Sequence, residues 1–194
     1  MNDAVTLNCR LIEDHELNFA KSVAAQVIPQ PRLNVWMVLI PIIFVFYFYQ
    51  RERYRTGSEQ FVQHYMLSRK RALEEACQAE TAGRDPDLAQ LTGSSRLPGE
   101  AQPAYRSFLQ VLVHHYQVLL EAEGGTFAEL VRAAYGSKTN YLLFCNELKQ
   151  AEMDLNAALE PHMEATTEGY REAAEKIELA SEEKRRQEAE RIFG

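Results

Sequence analysis

The side chains with the most chemical potential are a histidine pair, two isolated histidines and three cysteines. His114-His115 is the most conspicuous pair. Neighbours on a helix point about 100° apart, so the two cannot ligate one metal from one face. The spacing predicts one packed ring and one nearer solvent. His162 sits within Glu160-Pro161-His162-Met163-Glu164, which lacks the Glu-x-x-His spacing of di-iron bundles. His15 lies in Glu13-Asp14-His15-Glu16 without a second ligand at matching spacing. Neighbouring carboxylates would raise its pKa, so a switch role competes with a structural one.

Cys9, Cys77 and Cys145 are far apart and odd in number, with no C-x-x-C pair. They read as free thiols in a reducing compartment rather than as a zinc ribbon or a disulfide framework. Gly124-Gly125 precedes a capping box at Thr126–Glu129, whose free amides could receive an anion; a helix hairpin explains it more simply. No Walker loop, dinucleotide fingerprint or nucleophile elbow is present. The expectation is a non-enzyme with no catalytic residue, no metal and no cofactor.

The elements that hold these side chains are helical throughout. Glycine and proline punctuate the chain, and no segment alternates over strand length. Residues 3–28 form an amphipathic helix with Leu7, Leu11, His15, Phe19, Val23 and Val27 on one stripe, widened by Val5, Ile12, Ala20, Ala24 and Ile28. Ser58 reads as the cap of a helix that ends near residue 80. Residues 81–103 read as a connecting loop in which Leu88 and Leu91 form a short turn. Residues 104–123 are apolar around most of their circumference and should be the best-buried helix. Short helices follow from 127 and from 138, closed by Gly136 and Pro161. Residues 160–194 carry ten acidic and six basic positions and few apolar ones. That tail reads as an exposed helix, removable without loss of the fold.

One segment is made of different material. Residues 33–49, LNVWMVLIPIIFVFYFY, hold 17 positions without a charge. At about 1.5 Å per residue they cover about 25 Å, near the lower limit for a membrane span. Trp36 at one end and Tyr47 and Tyr49 at the other suit the headgroup level, and Pro41 marks a kink. Arg51, Arg53, Arg55, Arg69, Lys70 and Arg71 follow, six basic residues against three before the block (Arg10, Lys21 and Arg32). By the positive-inside rule these six flank the membrane on its cytoplasmic side. A kinked segment that re-enters one leaflet is the competing topology.

The run VWMVLIPIIF with its basic, aromatic sequel resembles an uncharacterised family of small bacterial membrane-anchored helical proteins. The likeness covers the anchor and the region 116–148 and implies no activity. The net charge of -7 argues against nucleic acid.

The sequence therefore predicts an all-α chain: an N-terminal amphipathic arm (1–32), one hydrophobic membrane helix (33–49), an antiparallel bundle of three to four helices (50–161) and a charged C-terminal helix (162–194). It predicts single-pass insertion in the inner (cell) membrane with the C-terminal domain in the cytoplasm. The expected partners are membrane lipid and a protein, a second copy included. The expected role is accessory subunit, scaffold or assembly factor; the alternative is a ligand or metal sensor built around His114 or His115.

Overall fold

The computed structural model describes residues 2–28, 41–93, 95, 97–162 and 167–194, with side chains described for 3–28, 57–93, 95, 97–162 and 171–194. The described elements are all helical: α1 (Asn2–Val27), α2 (Pro41–Ala82), α3 (Leu88–Gly93), α4 (Gln102–Leu120), α5 (Phe127–Tyr135), α6 (Lys138–Leu159) and α7 (Thr167–Phe193). Short 3-10 turns at Gly99–Ala101 and Glu160–His162 precede α4 and follow α6.

Local chemistry sets most boundaries. The kink expected at Pro41 lies at the edge of the described residues, where α2 is described from Pro41 onward. Thr126 caps α5 by accepting from the Glu129 amide at 3.3 Å, and the Glu129 carboxylate accepts from the Gly125 amide at 2.8 Å. A Cβ on Gly124 would lie 2.9 Å from the Leu130 backbone nitrogen, so the turn requires glycine there. Gly136 closes α5 with φ 67°, and Ser137 caps α6 through the Asn140 amide. Ser58 is not a cap. α2 runs through Gly57 without interruption; packing along the helix outweighs the weak break that one glycine offers.

Five long helices form a closed ring, each against the next in the order α1, α2, α4, α6, α7 and back to α1. α1 runs antiparallel to α2, as the pairs Glu13–Lys70 and Phe19–Tyr65 show. α6 and α7 are likewise antiparallel: Arg171 pairs with Glu160 and Lys138 with Glu190. α4 is the best-buried element, with Leu109, Leu112, Tyr116 and Leu119 fully inaccessible. α5 closes one end of the ring. It stacks Phe127 on His15, and its Arg132 donates to the Ile192 carbonyl at the end of α7 (2.9 Å).

Two expectations change here. α1 is no free arm: Asn8 is buried and donates to the Leu120 and Ala122 carbonyls at 3.1 and 3.0 Å, capping the end of α4. Its buried face keeps Ile12, Ala20, Val23 and Ala24 of the expected stripe and adds the polar Asn8 and Glu16; Leu7 is exposed. The charged tail is no detachable helix either, since α7 buries Ala180, Ser181, Arg185, Glu188, Ala189 and Ile192.

The cysteine reading also changes. Cys9 and Cys77 form a disulfide between α1 and α2, while Cys145 is free and buried. A bridge across 68 residues restrains the unfolded chain, by about 4 kcal/mol in the chain-entropy picture. Reduction, or Cys9→Ser with Cys77→Ser, is therefore expected to lower the melting temperature by several degrees while leaving the helical circular-dichroism signal intact at 25 °C. An unchanged melting temperature would show that packing alone holds α1.

Candidate functional site: a buried charge cluster in the helical ring

The centre of the ring is polar. Arg69 on α2 and Arg185 on α7 are only 4% and 6% exposed. Such guanidiniums persist indoors only when paired. Arg69 Nε donates to Glu16 at 3.1 Å, and its Nη2 donates to Glu152 at 2.5 Å. Arg185 grips the same Glu152 carboxylate with two bonds of 2.8 Å each. The two arginines and their two carboxylates sum to zero charge. The Arg69 guanidinium also lies 3.9 Å above the Tyr65 ring, and Tyr116 donates to Glu16 at 2.8 Å. Four of the five ring helices are tied by this cluster directly, and α4 joins through Tyr116.

A second polar group lies toward α5. Glu188 accepts from the Tyr141 hydroxyl at 3.2 Å and lies 3.4 Å from His15 Nδ1. Arg191 approaches it at 3.4 Å. Burial raises the Glu188 carboxyl to about 7, while burial first and then Arg191 lower His15 to about 3. Below about pH 7 the shared proton therefore rests on Glu188, and neutral His15 offers Nδ1 as acceptor. His15 also stacks on Phe127, centroid to centroid 3.4 Å, which suits an uncharged ring.

The histidine pair divides as its spacing requires. His115 is buried and His114 exposed. Burial holds His115 well below its ordinary value. It stacks on Phe144 at 3.9 Å, and its Nδ1 receives the Tyr135 hydroxyl at 2.6 Å. Tyr135 keeps its proton because burial raises its pKa. Cys145 is pushed up to about 12, chiefly by burial, so its thiol is not a nucleophile near neutrality. His162 lies 3.4 Å from Glu100, at the surface. Among the described residues no cluster of three or more His, Cys, Asp or Glu is placed to hold a metal.

The basic residues expected beside a membrane separate here. Arg69 is a core residue; its neighbours on the other helices supply two carboxylates at helical spacing, and burial follows. Lys70 pairs with Glu13 at the surface (3.2 Å), and Arg71 is half-buried on the same helix. The side chains of Arg51, Arg53 and Arg55 lie outside the described residues, as do those of Pro41, Tyr47 and Tyr49; Trp36 lies outside altogether. Among the described residues no helix is long and apolar enough to cross a membrane.

Geometry also bears on topology. α1, which ends at Val27, and the part of α2 from Gly57 to Ala82 are bridged and packed against each other. Both flanks of residues 33–49 therefore belong to one body. A single crossing would have to put them on opposite faces of a bilayer, and among the described residues no helix supports one.

Two predictions follow from the cluster. Glu152→Leu leaves two buried guanidiniums short of partners and should cost about 3 kcal/mol in chemical denaturation. The double variant Glu152→Leu with Arg185→Leu, which keeps Arg69 on Glu16, should recover most of that loss. Equal losses in both would mean that the pair itself stabilises the ring.

Glu188 gives a pH signature. Its folded pKa is raised, so its contribution is full below 4.5 and is lost as pH rises through about 7. His15, lowered, contributes above 6.5 and loses that contribution as pH falls toward about 3. Glu188→Gln keeps the donor to His15 and the acceptor for Tyr141. It should stabilise the protein at about pH 8 by up to about 3 kcal/mol and converge with wild type below about pH 4.5. Thermal melts across that range read the difference, and a variant less stable than wild type at pH 8 would show that Glu188 is ionised in the fold.

Comparison with protein-family models, curated proteins and solved structures finds no match for this chain.

Proposed function

We propose that this is a non-catalytic helical body held against a membrane by residues 33–49, working through contact with another protein or a second copy of itself. The observation that carries the reading is the placement of that uncharged block. Its two flanks, α1 up to Val27 and α2 from Gly57, pack against each other, so the block can enter a bilayer and return to the same side. Backbone that turns round at membrane depth needs protein around it. A partner inside the membrane is thus part of the reading.

The Cys9–Cys77 bridge favours an oxidising compartment for the body. This replaces the cytoplasmic placement drawn from basic residues. Arg69 no longer counts toward that bias because it is neutralised in the core, and Lys70 is paired with Glu13. The chemistry of the site supports a non-enzymatic role: its thiol is protonated, its histidines are stacked and neutral, and its carboxylates are bound to arginine. The metal-sensor alternative has no donor set among the described residues.

The test uses exposed sites on the two flanks. Lys21→Cys and Gln78→Cys, each in a Cys9→Ser, Cys77→Ser background, are treated with an impermeant maleimide on intact spheroplasts. Both should label. Labelling of one alone would restore a single crossing, and labelling of neither before lysis would place the body in the cytoplasm. In parallel, deletion of residues 33–49 should abolish flotation of the purified protein with phosphatidylcholine vesicles while changing its melting temperature by less than a few degrees.

A further inference from the structure

The seam between the first and last helices holds a cleft of about 360 Å³. That volume falls in the range of small-ligand sites, about 300–1,000 Å³. α1 lines it with His15, Asn18 and Phe19, and α7 with Lys184, Glu188 and Arg191. Each set recurs at three- or four-residue spacing, so each shares one helix face.

The charges of this cleft are unbalanced. Lys184 is half-buried and has no ion-pair partner among the described residues. Arg191 is 77% exposed and approaches only Glu188, at 3.4 Å. Burial raises that carboxyl to about 7, so below this pH it is largely neutral and Arg191 faces no anion. Glu183, next to Lys184 in the chain, accepts from Gln26 and Gln187 and does not line the cleft.

A directed donor accompanies the two cations. His15 is 18% exposed; its Nδ1 faces Glu188, and its Nε2 has no partner among the described residues. The side-chain atoms that are both sealed and unpartnered there belong to Tyr65 and Ser95, so Nε2 remains open. Burial first and then Arg191 keep the ring uncharged. With the carboxyl proton of Glu188 on the Nδ1 side, the ring proton sits on Nε2 and makes it a donor.

We infer that this cleft binds the phosphate of a small phosphomonoester, with Lys184 and Arg191 opposing its charge, His15 Nε2 donating to one oxygen and Phe19 lying against the organic group. Two cations without an anion match a dianion, whereas a carboxylate balances only one. A phosphomonoester, with its second pKa at about 6, carries nearly two charges at neutrality. The ester is either soluble or the headgroup of a lipid such as phosphatidic acid; the terminal phosphate is common to both. The site belongs to α1 and α7 and does not rest on the membrane reading, which vesicle flotation tests separately.

The full-length chain in dodecyl maltoside is titrated calorimetrically with phenyl phosphate at about pH 6.5, just below the Glu188 transition. Saturable binding is expected. Lys184→Ala removes a cation that has no partner in the fold and should weaken binding about tenfold, while Lys184→Arg should retain it. Asn18→Trp, at an exposed position, fills the cleft and should abolish binding. Benzoate, a monoanion of similar shape, should bind about tenfold more weakly than phenyl phosphate. Dioctanoyl phosphatidic acid in the same detergent separates the sources. Binding that is tighter than that of phenyl phosphate and equally sensitive to Lys184→Ala assigns a lipid headgroup; the reverse order assigns a soluble ester.

No saturable binding of either phosphate overturns the proposal, as does binding indifferent to Lys184→Ala and Asn18→Trp. Lys70→Ala, on α2 outside the cleft, should change nothing; a loss as large as that of Lys184→Ala would show diffuse charge attraction and no site. Benzoate binding as tightly as phenyl phosphate would overturn the assignment to phosphate.

Discussion

The fold turns on one carboxylate. Glu152 accepts three hydrogen bonds from two arginines that arrive from different helices, Arg69 on α2 and Arg185 on α7. Arg185 would not be tolerable at that depth without it, and Arg69 would be left with Glu16 alone. Because α2 and α7 are not neighbours in the ring, the carboxylate of α6 fixes their separation across it. Glu16 then brings in α1, and Tyr116 brings in α4. A core of hydrocarbon alone would hold these helices together without selecting their relative rotation. Charges that must meet within 3 Å are far less permissive, so the cluster sets register as well as adhesion.

That register also governs the relation between the body and its apolar segment. Cys9 can reach Cys77 only when Glu13 faces Lys70 and Glu16 faces Arg69. The bridge and the ion pairs therefore report one alignment of α1 on α2. Once α1 is fixed so, the two ends of residues 29–56 are fixed as well, and they belong to the same end of the antiparallel pair.

Much of the helical layout was legible in the sequence. Apolar periodicity marked α4, and cap residues marked both ends of α5 and the start of α6, because those signals are local. The start of α2 and the inner face of α7 were harder, the latter for a specific reason. The residues that α7 buries are Ser181, Arg185, Glu188, small alanines and a single isoleucine; hydrophobic patterning is blind to charge that is buried because it is paired. The same applies to Asn8 and Glu16, which are buried beside the expected Ile12, Ala20, Val23 and Ala24 of α1. The disulfide was missed because 68 residues separate its cysteines, and pairing at that range depends on tertiary alignment rather than spacing. Of the site, the split between His114 and His115 followed from helix geometry, whereas Arg69 was misread because its partners lie on other helices.

Closure of the ring has a consequence for how the molecule comes into being. α1 and α7 are adjacent, and His15 reaches Glu188 across more than 170 positions of chain. Contacts of that sequence separation are slow to form and cannot begin until the later residue exists. During synthesis the uncharged block at 33–49 emerges long before Arg185 or Glu188, so it meets solvent or lipid while the ring is still open. Arg69 and Glu16 can pair early, but Glu152 and Arg185 arrive in turn. The nascent chain therefore passes through a stage in which its most apolar stretch is available and its central charges are only partly neutralised. Burial of the block in a bilayer, or cover by a chaperone, at that stage would protect the chain until the seam between its first and last helices is sealed.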